Sequence, residues 1–308
     1  MNFKNLKEAT KYFSDEKVCR DYLILQRWNG NPECPYCGHT KVYNIEDGKR
    51  FKCANKECYK KFSVTVGTIY ENSNLPLSTW FIAVWLITAH KKGISSIQLG
   101  KDLGITQKAA WFVLHRVREM LTDKAPELLN NMVEVDETFV GGKMKNKHKS
   151  VRAKAHRENT SHTGNKTMVV GLLERGKQVK TTIYKSEEKS LKNMVVDHVN
   201  TNAVIVTDSL NAYTGLNKLF AGHEVVNHNQ DEYVRGIWHT NSIEGFFSQL
   251  KRSIYGIYHQ VSPKHLHRYC TETAYRYNFR KISDKERFEL TISNSEGRLK
   301  YADLIKKN

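Results

Sequence analysis

Apolar residues recur along this chain with two different periods, and the change near residue 131 divides it. Before that point the spacing is mostly helical. Residues 1–30 read as a short helical lead-in anchored by Tyr12, Phe13, Tyr22, Leu23 and Leu25. After Pro76, the residues Trp80, Phe81, Val84, Trp85 and Thr88 fall on one face of a helix ending near Lys92-Gly93. A short helix over 95–103 follows, Gly104 breaks it, and Thr106 is placed to cap a longer helix over Gln107–Met120. Ala110, Val113, Leu114 and Val117 form the inner side of that helix, which turns Gln107, Lys108, His115 and Arg116 outward. Short helix, glycine turn and longer helix is a helix-turn-helix layout, here over 73–125, with Lys108 and Arg116 as candidate DNA contacts.

Beyond Asn131 strand patterns take over. Met132–Val140 is the first, and Thr167–Leu173 and Gln178–Tyr184 flank the turn Glu174-Arg175-Gly176. A helix over Leu191–Val199 precedes the apolar run 203–207, which suits a strand buried on both faces, and Glu224–Val226 offers another short strand. Ile243, Phe246, Phe247, Leu250 and Ile254 then mark the core side of a helix, and Pro263–Lys281 predicts a last one with Leu266, Tyr269, Cys270, Ala274 and Tyr277 inward. The tail over 283–308 is charged and carries no pattern.

Charge and cysteines add chemistry to this layout. The 308 residues include 49 Lys plus Arg against 32 Asp plus Glu, a formal net charge of +17, which points to a polyanionic partner, most commonly nucleic acid. An insertion over 143–166 holds eight Lys or Arg, among them Lys143, Lys145, Lys147 and Lys149, against one acid, Glu158. With almost no apolar content it is expected to stay mobile until it meets an anion. No secretion signal, lipidation motif or spanning apolar run stands in the sequence, so a membrane is excluded as the partner and the expected location is cytoplasmic. Cys34-Pro35-Tyr36-Cys37 and Cys53-Ala54-Asn55-Lys56-Glu57-Cys58 are separated by fifteen residues, with strand patterns between them joined at Glu46-Asp47-Gly48. Two such thiolate pairs fold over one Zn²⁺ as a zinc ribbon, here over 31–72, and four thiolates leave no open position, so the zinc is structural. Cys19, alone in the lead-in, reads as a buried small hydrophobe.

Three acids stand at telling places. Asp136 lies in the first strand of the second half, Asp208 follows the buried strand, and Glu244 sits on the next helix, sharing its face with Ser248 and Lys251. Carboxylates from distant segments are what two Mg²⁺ or Mn²⁺ ions need for an in-line attack on a phosphodiester. Glu134 and Glu137 flank Asp136 and stay open as alternative ligands, and Asn241-x-x-Glu244 also fits a capping box. The element order is that of an α/β, RNase H-like domain over 131–282, preceded by the ribbon and the helix-turn-helix module.

With the ribbon, Val135-Asp136-Glu137-Thr138, Thr207-Asp208-Ser209 and the run His239-Thr240-Asn241-Ser242-Ile243-Glu244-Gly245-Phe246-Phe247-Ser248-Gln249-Leu250-Lys251-Arg252, the chain resembles the zinc-ribbon group of DDE-type transposases of bacterial insertion-sequence family 1595. The resemblance covers about 20–282. It implies Asp136, Asp208 and Glu244 as the metal-holding catalytic acids, Lys251 with Arg252 as basic residues toward DNA, and two Mg²⁺ (or Mn²⁺) ions per site. It also implies cleavage at the element's ends, strand transfer of the 3′-OH into target DNA, a homo-oligomer on terminal inverted repeats, and a nucleoid-associated location in a bacterium. Some members use asparagine as third ligand, so Asn241 stands beside Glu244, with His239 as an accessory candidate. Competing readings are a domesticated DNA-binding regulator on an inactive scaffold, a nuclease that cuts without joining, and a tyrosine recombinase built on His265, Arg268, Tyr275 and Tyr277.

Overall fold

A computed structural model describes residues 3–46, 48–124, 126–157, 166–185, 190–226 and 234–306. The chain forms two units, Met1–Thr122 with Arg280–Asn308, and Asp123–Phe279.

In the first unit, α1 (Leu6–Tyr12) and α2 (Glu16–Trp28) start at Asn5 and Asp15, whose side chains accept from the helix N–H groups of Glu8 and Lys17. The strands β1 (Val42–Ile45), β2 (Arg50–Cys53) and β3 (Lys61–Phe62) pair antiparallel in that order, with Asp47 of the expected turn outside the described residues. Phe51 and Phe62 turn to one side of this sheet and pack on Trp28, with ring centroids 6.5 and 6.2 Å from it. The helix α3 (Leu77–Ala89) departs from the expected single apolar face: Leu77, Ala83, Leu86 and Ile87 are buried as well as Trp80, Phe81, Val84 and Trp85. Pro76 gives α3 no side-chain cap, and Glu16 supplies it instead, accepting from the N–H groups of Leu77 at 3.1 Å and Ser78 at 2.7 Å.

The helices α4 (Ser96–Leu103) and α5 (Gln107–Met120) turn at Gly104 (φ 65°), and the Thr106 hydroxyl accepts from Ala109 N–H, as the sequence predicts. Gly100 keeps this turn tight, since a Cβ there would stand 3.0 Å from the Ile105 carbonyl oxygen. The outward placement of His115 and Arg116 is wrong. Both are buried, and Arg116 donates from Nε to the Leu299 carbonyl at 3.1 Å while its guanidinium lies 4.4 Å from the Phe112 ring centre. Burial of nearly all of the C-terminal half of α5 leaves Gln107 and Lys108 at its start as the exposed polar residues, and removes Arg116 as a DNA contact.

The second unit is built on a five-stranded sheet. Its strands are β4 (Met132–Val140), β5 (Thr167–Glu174), β6 (Val179–Ile183), β7 (Val204–Thr207) and β8 (Gly222–Val225), in spatial order β6-β5-β4-β7-β8. The pairs β4–β5 and β5–β6 are antiparallel, while β4–β7 and β7–β8 are parallel. The basic insertion, expected to be mobile, carries a 3-10 turn (Met144–Asn146) and the helix α6 (Lys149–Arg157), with residues 158–165 outside the described set. Lys, Arg and Ala favour helix without a core, and Ala155 alone in α6 is buried. On one sheet face, α7 (Leu191–His198) packs with Tyr213, Leu216 and Phe220 over Val133, Val135 and Leu172. On the other, α8 (Asn241–Ser253) and α9 (Leu266–Asn278) cover Val140, Val169 and Leu173, and α8 continues into a π-helical stretch over Ile254–Tyr258.

The last segment returns to the first unit, so the supposed tail is structural. The helix α10 (Asp284–Ser293) opens with a capping box at Ser283 and Glu286, and α11 (Tyr301–Ile305) follows. Phe288 is fully buried, its ring 5.7 Å from Phe3, 5.5 Å from Phe13 and 5.8 Å from Trp85. Its apolar residues, Phe288, Leu290 and Ile292, alternate with polar ones, a spacing that hid this helix from a periodicity reading. Phe288→Ala is expected to destabilise the first unit by about 3–5 kcal/mol, read as a lower urea midpoint for a signal from the tryptophans of α3.

Candidate active site and zinc centre

The site begins where β7 ends. Parallel pairing matches Met132–Val135 of β4 with Val204–Thr207 of β7, so among the described residues no strand pairs with β4 on that flank from Asp136 onward. Asp208 follows Thr207 directly and meets Asp136 at this open edge. Asp136, Glu137 and Asp208 each place a carboxylate oxygen within 4.8 Å of the others. Asp136 and Glu137 leave β4 toward opposite faces, and the missing neighbour lets both reach the edge. Each acid is held locally. Asp136 Oδ1 accepts from Glu137 N–H at 2.8 Å, Asp208 Oδ1 from Leu210 N–H at 3.1 Å, and Glu137 Oε2 from the buried Tyr213 hydroxyl at 2.9 Å. The Thr207 hydroxyl donates to the Asp208 carbonyl at 2.8 Å and lies 2.9 Å from His223 Nε2.

Crowding sets the electrostatics. Burial, then the charges of Glu137, Asp208 and Glu244, push Asp136 up to about 7, against the pull of its bond from Glu137 N–H. Glu137 is also raised, by burial and then by Asp208, while the Tyr213 hydroxyl opposes the shift. Hard oxygen donors that resist sharing their negative charge suit a divalent cation such as Mg²⁺ or Mn²⁺.

Glu134 resolves differently from its neighbours. It is fully buried, and its Oε2 accepts from the N–H groups of Ser242 at 2.9 Å and Ile243 at 3.0 Å. Its Oε1 accepts from the Ser242 hydroxyl at 3.0 Å and from Arg175 Nε at 2.8 Å, with His239 Nδ1 3.5 Å away. Arg175 also donates to the carbonyls of Ile237 at 2.6 Å and His239 at 3.0 Å. Glu134 therefore caps α8 from β4. Asn241 is the exposed first residue of α8, Thr240 stands at the cap position, and no capping box forms. Glu244 lies one turn in, exposed, with its Oε1 accepting from the Thr240 hydroxyl at 2.9 Å, and its charge reaches Asp136. Gly171, paired with Asp136 across the sheet, lets α8 lie close, since a Cβ there would stand 2.6 Å from Ile243 Cδ1.

In the first unit, Cys34, Cys37, Cys53 and Cys58 bring their sulfurs within 4.8 Å of one another. Cys34 and Cys58 are 3.7 Å apart, Cys37 and Cys53 3.6 Å. A tetrahedron with Zn–S bonds of about 2.3 Å has edges of about 3.8 Å, whereas a disulfide needs about 2.05 Å. The four thiols fit zinc.

Comparison with known proteins supplies the context. Residues 128–278 match the ISXO2-like transposase domain, and residues 14–61 match the transposase zinc-ribbon domain of the same insertion-sequence family, 1595. The chain belongs to this transposase family. A relative described as an uncharacterized protein in transposable element ISH50 of Halobacterium salinarum is 27% identical over 252 residues, 79% of this chain and 84% of that one.

For a transposase of this family, the remaining candidates divide clearly. Arg252, Lys108, Lys143, Lys145 and Lys149 are exposed, Lys251 and Lys147 are half-buried, and no helix among the described residues is long and apolar enough to cross a membrane. Tyr275 is buried, which removes it as the nucleophile of a recombinase, and Tyr277 is half-buried and packs edge-on against Phe246 at 5.7 Å. Sequence reasoning missed the tethering roles of Tyr213, Arg175 and His223. The signal for Arg175 was its place in a turn one strand away from a core-facing glutamate.

Substitutions at Asp136 and Glu134 test this geometry. Because Asp136 sits above its unfolded value near 4, the stability it contributes is full below that value and is lost as pH rises toward 7. Asp136→Asn is therefore expected to raise the melting temperature of metal-free protein at pH 8, by about 2–4 °C per kcal/mol recovered. The same substitution should abolish the increase that Mg²⁺ gives the wild type at pH 8, an increase that shrinks at pH 5. Glu134→Ala strands Arg175 and the first N–H groups of α8, and is expected to cost about 3–5 kcal/mol, with Glu134→Gln milder in the same denaturation measurement.

Proposed function

We propose that this chain cuts DNA at the ends of an insertion sequence and joins the freed 3′-OH to target DNA, without a covalent enzyme intermediate. The observation that carries this reading is the convergence of Asp136, Glu137 and Asp208 at the open edge of β4, faced by Glu244 from α8. Asp136 and Asp208 would hold the metal, with Glu244 completing the set. Glu137, tied to Tyr213, would shape the field. Bound Mg²⁺ or Mn²⁺ would stabilise charge on the attacking and leaving oxygens. In each step one P–O bond forms as another breaks, first with water and then with the 3′-OH as nucleophile.

The surroundings support the same reading. Three antiparallel strands followed by two parallel ones, with acids on the first and after the fourth, is an RNase H-like arrangement. The turn at Gly104 and the exposed start of α5, with Gln107 and Lys108, support a helix-turn-helix that reads the terminal repeats. Lys251 and Arg252 lie two turns beyond Glu244, where they would position phosphates, and the exposed lysines of the insertion would add charge-driven affinity. Work on paired ends implies a homo-oligomer on DNA.

The test is Mg²⁺-dependent cleavage and joining of a labelled element end, with binding followed separately. Asp136→Asn, Asp208→Asn and Glu244→Gln should bind normally and lose about 10²-fold or more in cleavage, while Glu137→Gln loses less. Near-normal cleavage by Glu244→Gln beside an inactive Glu137→Gln would give the third ligand to Glu137. Cleavage without a joined product would leave a nuclease, and binding with no product in the wild type would leave a regulator.

A further inference from the structure

The ribbon sheet has two unlike faces. Phe51 and Phe62 fill one and pack on Trp28. On the other, the pairings Tyr43↔Lys52 and Lys52↔Lys61 set three side chains in a row across all three strands, and Arg50, opposite Ile45, continues the row's charge. Tyr43 is 52% exposed and Tyr59 56% exposed, with the Lys52 ammonium 3.5 Å from the Tyr59 ring centre.

Tyr59 is the telling residue. It directly follows Cys58, as Gly38 follows Cys37, and both residues are left-handed, with φ 49° and 71°. The turn after the second cysteine of each pair therefore asks for a left-handed residue, and glycine answers that need without cost. A bulky side chain there is disfavoured, and this one is not repaid by burial. In the fold its ring meets the Lys52 ammonium and is otherwise left largely facing outward.

We propose that this face of the ribbon is a stacking platform for unpaired bases of single-stranded DNA, such as a frayed or cut element end. Exposed rings accept any base, and flanking Lys and Arg neutralise the phosphates between stacked bases. Duplex DNA hides its base faces and would use only the charges. This inference rests on DNA being the partner, and it assigns to the ribbon a ligand that the acidic site does not need.

The test uses the full-length zinc-loaded protein, a single-stranded oligonucleotide carrying 2-aminopurine, and the matching duplex. Tyr59→Gly relieves the left-handed backbone, so its ribbon should fold at least as well, as checked by zinc content. Tyr59→Gly and Tyr43→Ala are each expected to weaken single-strand binding by about 10-fold and to reduce stacking-induced quenching, with duplex binding unchanged. Tyr43→Phe should retain single-strand affinity. Equal losses on single strand and duplex, or loss only when Lys52 and Lys61 are replaced, would reduce the face to a charged surface and overturn the platform. Cleavage by the wild type is scored separately, so failure of the catalytic reading and failure of the platform give different results.

Discussion

A carboxylate removed from water must be met by donors, and in the catalytic unit Glu134 is met by two backbone N–H groups, a hydroxyl and a guanidinium. The consequence is positional. Glu134 belongs to β4, two residues before Asp136, and its α8 donors, Ser242 and Ile243, directly precede Glu244 in the first turn of that helix. One buried carboxylate, through its hydrogen bonds to Ser242 and Ile243, thus fixes the acid on the strand against the acid on the helix. It also favours the helix electrostatically, since the N-terminus of α8 carries the positive end of its dipole. Gly171 makes the contact close enough, because any side chain opposite Asp136 would hold α8 off the sheet. The first unit uses the same device at α3, where Glu16 replaces the cap that Pro76 cannot supply.

These distant caps mark the limit of what the sequence reveals. Strands, buried faces and the four thiols were legible because each depends on a short period or a fixed spacing, and Met132–Val140 runs over the residues predicted for it. Glu134 and its α8 partners are 108 and 109 residues apart, so the local pattern Asn241-x-x-Glu244 offered a false local answer. Arg116 failed for a related reason. A helical wheel identifies which side of α5 is most apolar, but not that a second layer from the C-terminal segment closes over the other side. In α6 the error was opposite, with missing apolar content taken as missing structure where Lys, Arg and Ala propensity suffices. Of the site, Asp136 and Asp208 were legible from their strand positions, whereas Tyr213 could be found only once the fold showed it beneath Glu137.

The charge distribution sets two demands against each other. A chain of net charge +17 draws in a polyanion over much of its surface, while the edge of β4 gathers acids that repel the same phosphates. Burial and the neighbouring acids push Asp136 upward, so the cluster resists carrying its full negative charge without a cation. On the proposed function, cations at the acids would reconcile the two by reversing the local sign where the scissile group would sit.

On the proposed function the site must admit a polymer. Beside Asp208 lies a cavity of about 320 Å³, lined by residues such as Ser209, Thr214, Asn217 and His223. A small metabolite is normally enclosed on most sides, but a phosphodiester inside a long chain cannot be, since the strand must enter and leave. Ending β7 at Thr207 while β4 runs on to Val140 solves this with backbone alone. The sheet stays paired where it must carry load in the core, and it opens where the acids need access from outside. Lengthening β7 by pairing through Asp208 would cover Asp136 with a neighbouring strand and close the approach, so the short strand is as much a part of the site as the carboxylates.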